Sequence, residues 1–118
     1  MENDMVLWTS LGFPAGIGRC QDVCGALIGG VMAIGLDSGR KIAERNEAYT
    51  RAVEQAQKLY RAFWETFGHV KCLDLVGPII TNPEYREWFY SRELNVTKCR
   101  KYMEFVVRTL VEWEEESP

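Results

Sequence analysis

The 118 residues contain one histidine and no cysteine pair spaced C-x-x-C. A lone His69 excludes a histidine-rich catalytic metal site, and the missing pair removes the zinc-ribbon and thioredoxin signatures. Basic residues are not in excess: 14 Lys and Arg, scattered along the chain, face 17 Asp and Glu for a net charge of -3. That balance argues against a nucleic-acid partner. Long hydrophobic runs are lacking too. The longest uncharged stretch, 23–36, has 14 residues, short of the roughly 17 to 25 a membrane-spanning helix needs. No segment alternates apolar and polar residues as a half-buried strand would. There is no phosphate loop, no nucleophile elbow and no two-carboxylate constellation.

The composition is that of an ordinary globular protein, 47% apolar and 26% charged. One domain covering 1–118 is expected, with a glycine-rich lead-in over 1–19 and an acidic tail over 112–118. Such a chain can fold alone, and a homo-oligomer would help to bury its surface. The start Met1-Glu2-Asn3-Asp4 is acidic, and Gly12-Phe13-Pro14 soon interrupts the apolar residues after it. Both features are unlike a secretory leader, so a cytoplasmic location is expected. In a reducing compartment four cysteines argue for metal binding or working thiols rather than structural disulfides.

Spacing of apolar residues predicts an all-helical bundle of four to five helices. Gly12, Pro14, Gly16 and Gly18 make 6–19 a loop. Residues 20–34 then read as a mostly buried helix stopped by Gly35. Asp37-Ser38 is expected to cap a long amphipathic helix over 39–67, with Tyr49, Val53, Ala56, Tyr60, Phe63 and Phe67 as its core stripe. A short helix is expected over 69–76. Asn82-Pro83 opens another over 83–92. The last, starting near Asn95 or Thr97 and running to about Glu115, buries Tyr102, Phe105, Val106, Thr109, Leu110 and Trp113. Gly25, Gly29 and Gly30 inside the first helix cost on the order of 3 kcal/mol relative to alanine. The smooth stripe they form must therefore serve close packing, or contact with a cofactor or substrate.

On these elements Cys20, Cys24, Cys72 and Cys99 all fall near helix starts, where free amides favour thiolate, the form that attacks disulfides and binds metals. Four apart, Cys20 and Cys24 would share a helix face and could ligate one metal. His69, three residues before Cys72, could share a metal with it or form an acid-base pair, or simply be an exposed residue after Gly68.

Cys24-Gly25-Ala26-x-x-Gly29-Gly30, the run Met32-Ala33-Ile34-Gly35-Leu36 with Gly39-Arg40, Phe67-Gly68 before Cys72, and finally Cys99 together resemble the redox-active C_GCAxxG_C_C family. The resemblance spans 12–99. It implies a small helical protein whose cysteines are redox-active: Cys24, Cys72 and Cys99 match the family cysteines, and Gly25, Ala26 and Gly29 match the motif. The first family cysteine usually lies on a helix well upstream, whereas Cys20 is only one turn from Cys24. The expected function is a redox protein acting with a partner protein. Cys20, Cys24, Cys72 and Cys99 would hold an iron–sulfur cluster or another metal ion, or would cycle between thiol and disulfide. A non-redox helical binding module with packing cysteines and a structural zinc protein are the alternatives.

Overall fold

Asn82 shows how local signals set the helix starts: its Oδ1 accepts a hydrogen bond from the Tyr85 amide at 3.0 Å, with Pro83 in the first turn where no amide is needed. The computed structural model describes residues 4–116. Its helices are α1 Asp4–Ser10, α2 Gly25–Lys41, α3 Arg45–Phe67, α4 Cys72–Val76, α5 Pro83–Ser91 and α6 Leu94–Glu116. The described residues contain no strand, only an isolated antiparallel bridge between Val23 and Lys71. All-helical architecture is therefore as expected, but with six helices among the described residues rather than four or five. The additional one, α1, falls partly in the segment expected to be a loop, and its Leu7 and Trp8 are exposed.

The largest difference lies in α2. It starts five residues later than expected and runs through Gly35 to Lys41, so Asp37 and Ser38 are helix interior and not a cap. Tertiary contacts account for the extension. Ser38 is only 1% exposed and its Oγ accepts from Arg51 Nη1 at 2.6 Å, while Arg51 Nη2 and Lys41 Nζ hold the Asp37 carboxylate at 3.0 and 3.2 Å. Helix α3 is capped instead by Glu44, whose carboxylate accepts from the Glu47 amide at 2.7 Å. It ends as expected at Gly68, in the left-handed region at φ +79°.

The core joins Leu27 and Ile34 of α2, Leu59 and Phe63 of α3, Leu75 and Val76 of α4, Ile79, Phe89 of α5, and Tyr102 and Val106 of α6. Phe67 meets the Phe63, Tyr102 and Phe105 rings edge-on at centroid distances of 4.8, 4.9 and 5.2 Å. On α3 the buried stripe is rotated from expectation. Tyr49 is 70% exposed, Val53 and Tyr60 are also exposed, and Leu59 takes the buried position.

Close packing of the glycine helix happens at one residue. A Cβ on Gly30 would stand 2.6 Å from Val106 Cγ1 and 2.7 Å from Leu59 Cδ2, so α3 and α6 approach α2 only because no side chain is there. Gly25 and Gly29 face open space.

Candidate functional site

The chain enters the site through a left-handed run. Ala15, Gly16, Ile17, Gly18 and Arg19 have φ between +54° and +72°, and Gln21 has φ +54°. Each non-glycine residue there costs about 1–2 kcal/mol, so the run must be held by its surroundings. Main-chain bonds do this: Gly18 N donates to Gly12 O at 2.7 Å, Gln21 N to Ala15 O at 2.9 Å and Asp22 N to Gly16 O at 2.9 Å. The returning chain passes so close to Gly16 that a Cβ would lie 2.5 Å from the Asp22 nitrogen. Only glycine fits.

Past this turn, residues 22–24 run antiparallel to 70–72. Cys24 N donates to Val70 O at 2.8 Å, Cys72 N to Asp22 O at 2.7 Å, and Leu73 N to Gln21 O at 3.1 Å. Alternate positions of an antiparallel pair share a face, so Cys24 and Cys72, placed diagonally across the bridge, lie on the same side. Helix α6 brings Cys99 to them. All three thiols are half-buried and packed against the core.

Burial pushes the Cys24 thiol up; the amides of Ala26 and Leu27 at the start of α2 act against this, and the Cys72 charge adds to it. Cys99 is also raised, first by burial and then by the charges of Cys24 and Cys72, with Lys98 opposing. Tyr102, whose hydroxyl donates to Leu75 O at 3.2 Å, is raised by burial and by all three cysteines. The sulfurs thus lie close enough to feel one another's charge, and Cys24 and Cys99 are neutral thiols at neutral pH. This corrects the expectation that helix starts would favour thiolate. Desolvation outweighs the amides at Cys24, and Cys99 is the sixth residue of α6, past its free amides.

Cys20 stands apart. It is exposed in the loop before α2, with Sγ 3.9 Å from Gly18 O, and so does not share a helix face with Cys24. His69 is exposed too, with Nδ1 4.0 Å from Asp74 Oδ2. Among the described residues, no group of three or more His, Cys, Asp or Glu is placed to hold a metal ion. The three clustered thiols interact electrostatically without forming such a group. Ala26 packs against the core, while Gly25 and Gly29 lie on the open face of α2, free for contact from outside the chain.

Gln21 carries no sequence signal of a role in the site. It is buried, and its Nε2 donates to Cys72 Sγ at 3.6 Å and to Gly77 O at 2.7 Å while Oε1 accepts from Ile80 N at 3.1 Å. A lone glutamine beside Asp22 gives no hint of these bonds, because its place depends on the left-handed turn.

No helix among the described residues is long and apolar enough to cross a membrane. No curated protein and no solved structure matches the chain. Residues 1–113 match the model of the family described as "Putative redox-active protein (C_GCAxxG_C_C)", and the chain belongs to that family.

Proposed function

We propose that this chain is a thiol–disulfide redox protein in which Cys24, Cys72 and Cys99 are the working thiols. The observation that carries this reading is the convergence of three cysteines from distant parts of the chain against the core, close enough to feel one another's charge. For packing alone, three small apolar residues would serve as well. Membership of a redox-active family supports the same reading.

The chemistry is a two-electron exchange. Two thiols of the cluster lose their protons and join as a disulfide, and the electron pair reduces a disulfide on a partner protein to two thiols. The raised Cys24 thiol biases the direction, because a thiol that resists ionisation stabilises the reduced form less. The protein is therefore an electron donor in this reading. A diagonal pair across an antiparallel bridge has Cα atoms about 7–8 Å apart, whereas a disulfide prefers about 5.5–6 Å. Closure requires residues 22–24 and 70–72 to draw together by about 1–2 Å.

The test is oxidation of anaerobically reduced protein with glutathione disulfide, then thiol counting and disulfide mapping. Loss of two thiols from among Cys24, Cys72 and Cys99 supports the reading. Retention of all three as free thiols, with only Cys20 modified, contradicts it.

A further inference from the structure

Gln21 is 4% exposed, yet it carries a full amide and a main chain in the left-handed region. Five hydrogen bonds hold it. Its N donates to Ala15 O, its O accepts from Leu73 N, Oε1 accepts from Ile80 N, and Nε2 donates both to Gly77 O and to Cys72 Sγ. The side chain can sit only one way round. Exchanging its oxygen and nitrogen would set two acceptors together at Gly77 and two donors together at Ile80. With one N–H committed to Gly77 O, the other is aimed at the Cys72 sulfur.

We infer that Gln21 is a positioning residue that makes Cys72 the attacking thiol of the cluster. This assignment rests on the thiol–disulfide reading. Among the described residues, Cys72 is the clustered cysteine whose sulfur receives a side-chain hydrogen bond. A donated hydrogen bond favours the charged acceptor over the neutral one, since a thiolate accepts far better than a thiol. Cys24 receives the Ala26 and Leu27 amides, but burial outweighs them; Cys99 is likewise held neutral by burial, with only the Lys98 charge opposing it. The thiolate is the nucleophile, so the order of ionisation becomes the order of attack.

The steps balance. The Cys72 thiolate attacks one sulfur of the partner's disulfide, forming a mixed disulfide and expelling the other sulfur as a thiolate. Cys24, on the same face of the bridge, then loses its proton and attacks the Cys72 sulfur. That forms the Cys24–Cys72 disulfide and releases the partner's second thiolate. The partner gains two electrons and the cluster loses two. The two partner thiolates take up protons from Cys24 and from solvent.

The experiment is a pH series of iodoacetamide alkylation on the reduced full chain, with each cysteine followed separately by peptide mass spectrometry. Near pH 7 Cys72 should be alkylated fastest of the three clustered thiols. Gln21→Met keeps volume and removes the donor; it should slow Cys72 alkylation roughly tenfold near pH 7, with the high-pH plateau unchanged. A purely structural role for Gln21 would instead change the plateau and all three cysteines together, and that result overturns the inference. Should Gln21→Met fail to fold, the wild-type order alone decides: Cys24 or Cys99 ionising before Cys72 overturns the assignment. Trapping with glutathione disulfide separates the two claims. A mixed disulfide first on Cys24 or Cys99 sinks the role of Gln21 and leaves the redox reading standing. No oxidation of the cluster, with Cys72 still ionising first, sinks the redox reading and supports the ionisation order.

Discussion

Cys24 and Cys72 are tied to each other's segments by the backbone: the Cys24 amide donates to Val70 and the Cys72 amide donates to Asp22, one on each side of the Val23–Lys71 bridge. The two thiols are thereby held on one face by a contact between distant parts of the chain. Cysteine placement and backbone geometry are one feature.

Alkaline pH should loosen the fold through the thiols. Cys24 and Cys99 keep their protons longer in the folded protein than in the unfolded chain. Where the unfolded state has lost protons that the native state still holds, stability falls as pH rises. The decline should begin near the ordinary thiol value of about 8.5 and continue until the native thiols ionise. Urea unfolding at a series of pH values checks this, and the double variant Cys24→Ala/Cys99→Ala should flatten the slope.

Gly30 and Gly29 should respond oppositely to alanine. At Gly30 the new methyl meets Val106 and Leu59 side chains, and a loss of about 1–3 kcal/mol is expected from overpacking. At Gly29 it meets nothing within 4 Å, and replacing a helix-interior glycine should add about 0.5–1 kcal/mol. Denaturation midpoints of the two variants decide it. Equal effects would mean that α2 does not pack through Gly30.

Arg51→Ala should destabilise the protein by about 1–3 kcal/mol, mostly by leaving the buried Ser38 hydroxyl without its partner. Burial pushes Asp37 up, but Lys41 and Arg51 outweigh it and hold the carboxyl below its ordinary value. Stability from that carboxylate is present above its unfolded pKa and fades as pH falls through the lower folded value. Because the Asp37 and Lys41 side chains are each about a third or more exposed, solvent screens the pair, and the acid effect should be small and reduced by salt. Thermal midpoints with and without added salt test both parts.

Much of the fold is legible in local chemistry. Asn82-Pro83 and Gly68 mark boundaries because their roles need only neighbouring backbone. The end of α2 is not legible, because Gly35 is an effective stop only if nothing beyond it is anchored, and Arg51 anchors Ser38 from another helix. The same limit governs the site. Cys24, Cys72 and Cys99 are readable as a set by resemblance. The bridge that joins two of them and the turn that buries Gln21 arise from contacts across the chain, and Cys20 leaves the helix because α2 begins only at Gly25.

Cys20→Ser should leave the oxidation of the other thiols unchanged, since Cys20 is exposed in the loop before α2, with its Sγ turned to Gly18 O. Thiol counting under glutathione disulfide compares the variant with the parent chain. A variant that no longer oxidises would place Cys20 in the working set.

The most direct test of the central claim is an equilibrium redox titration of the reduced chain against glutathione, with disulfide mapping at each point. A single two-electron transition that yields a Cys24–Cys72 disulfide, abolished in Cys72→Ser, is the predicted result. Three thiols that remain free across the whole range of poise would contradict the account.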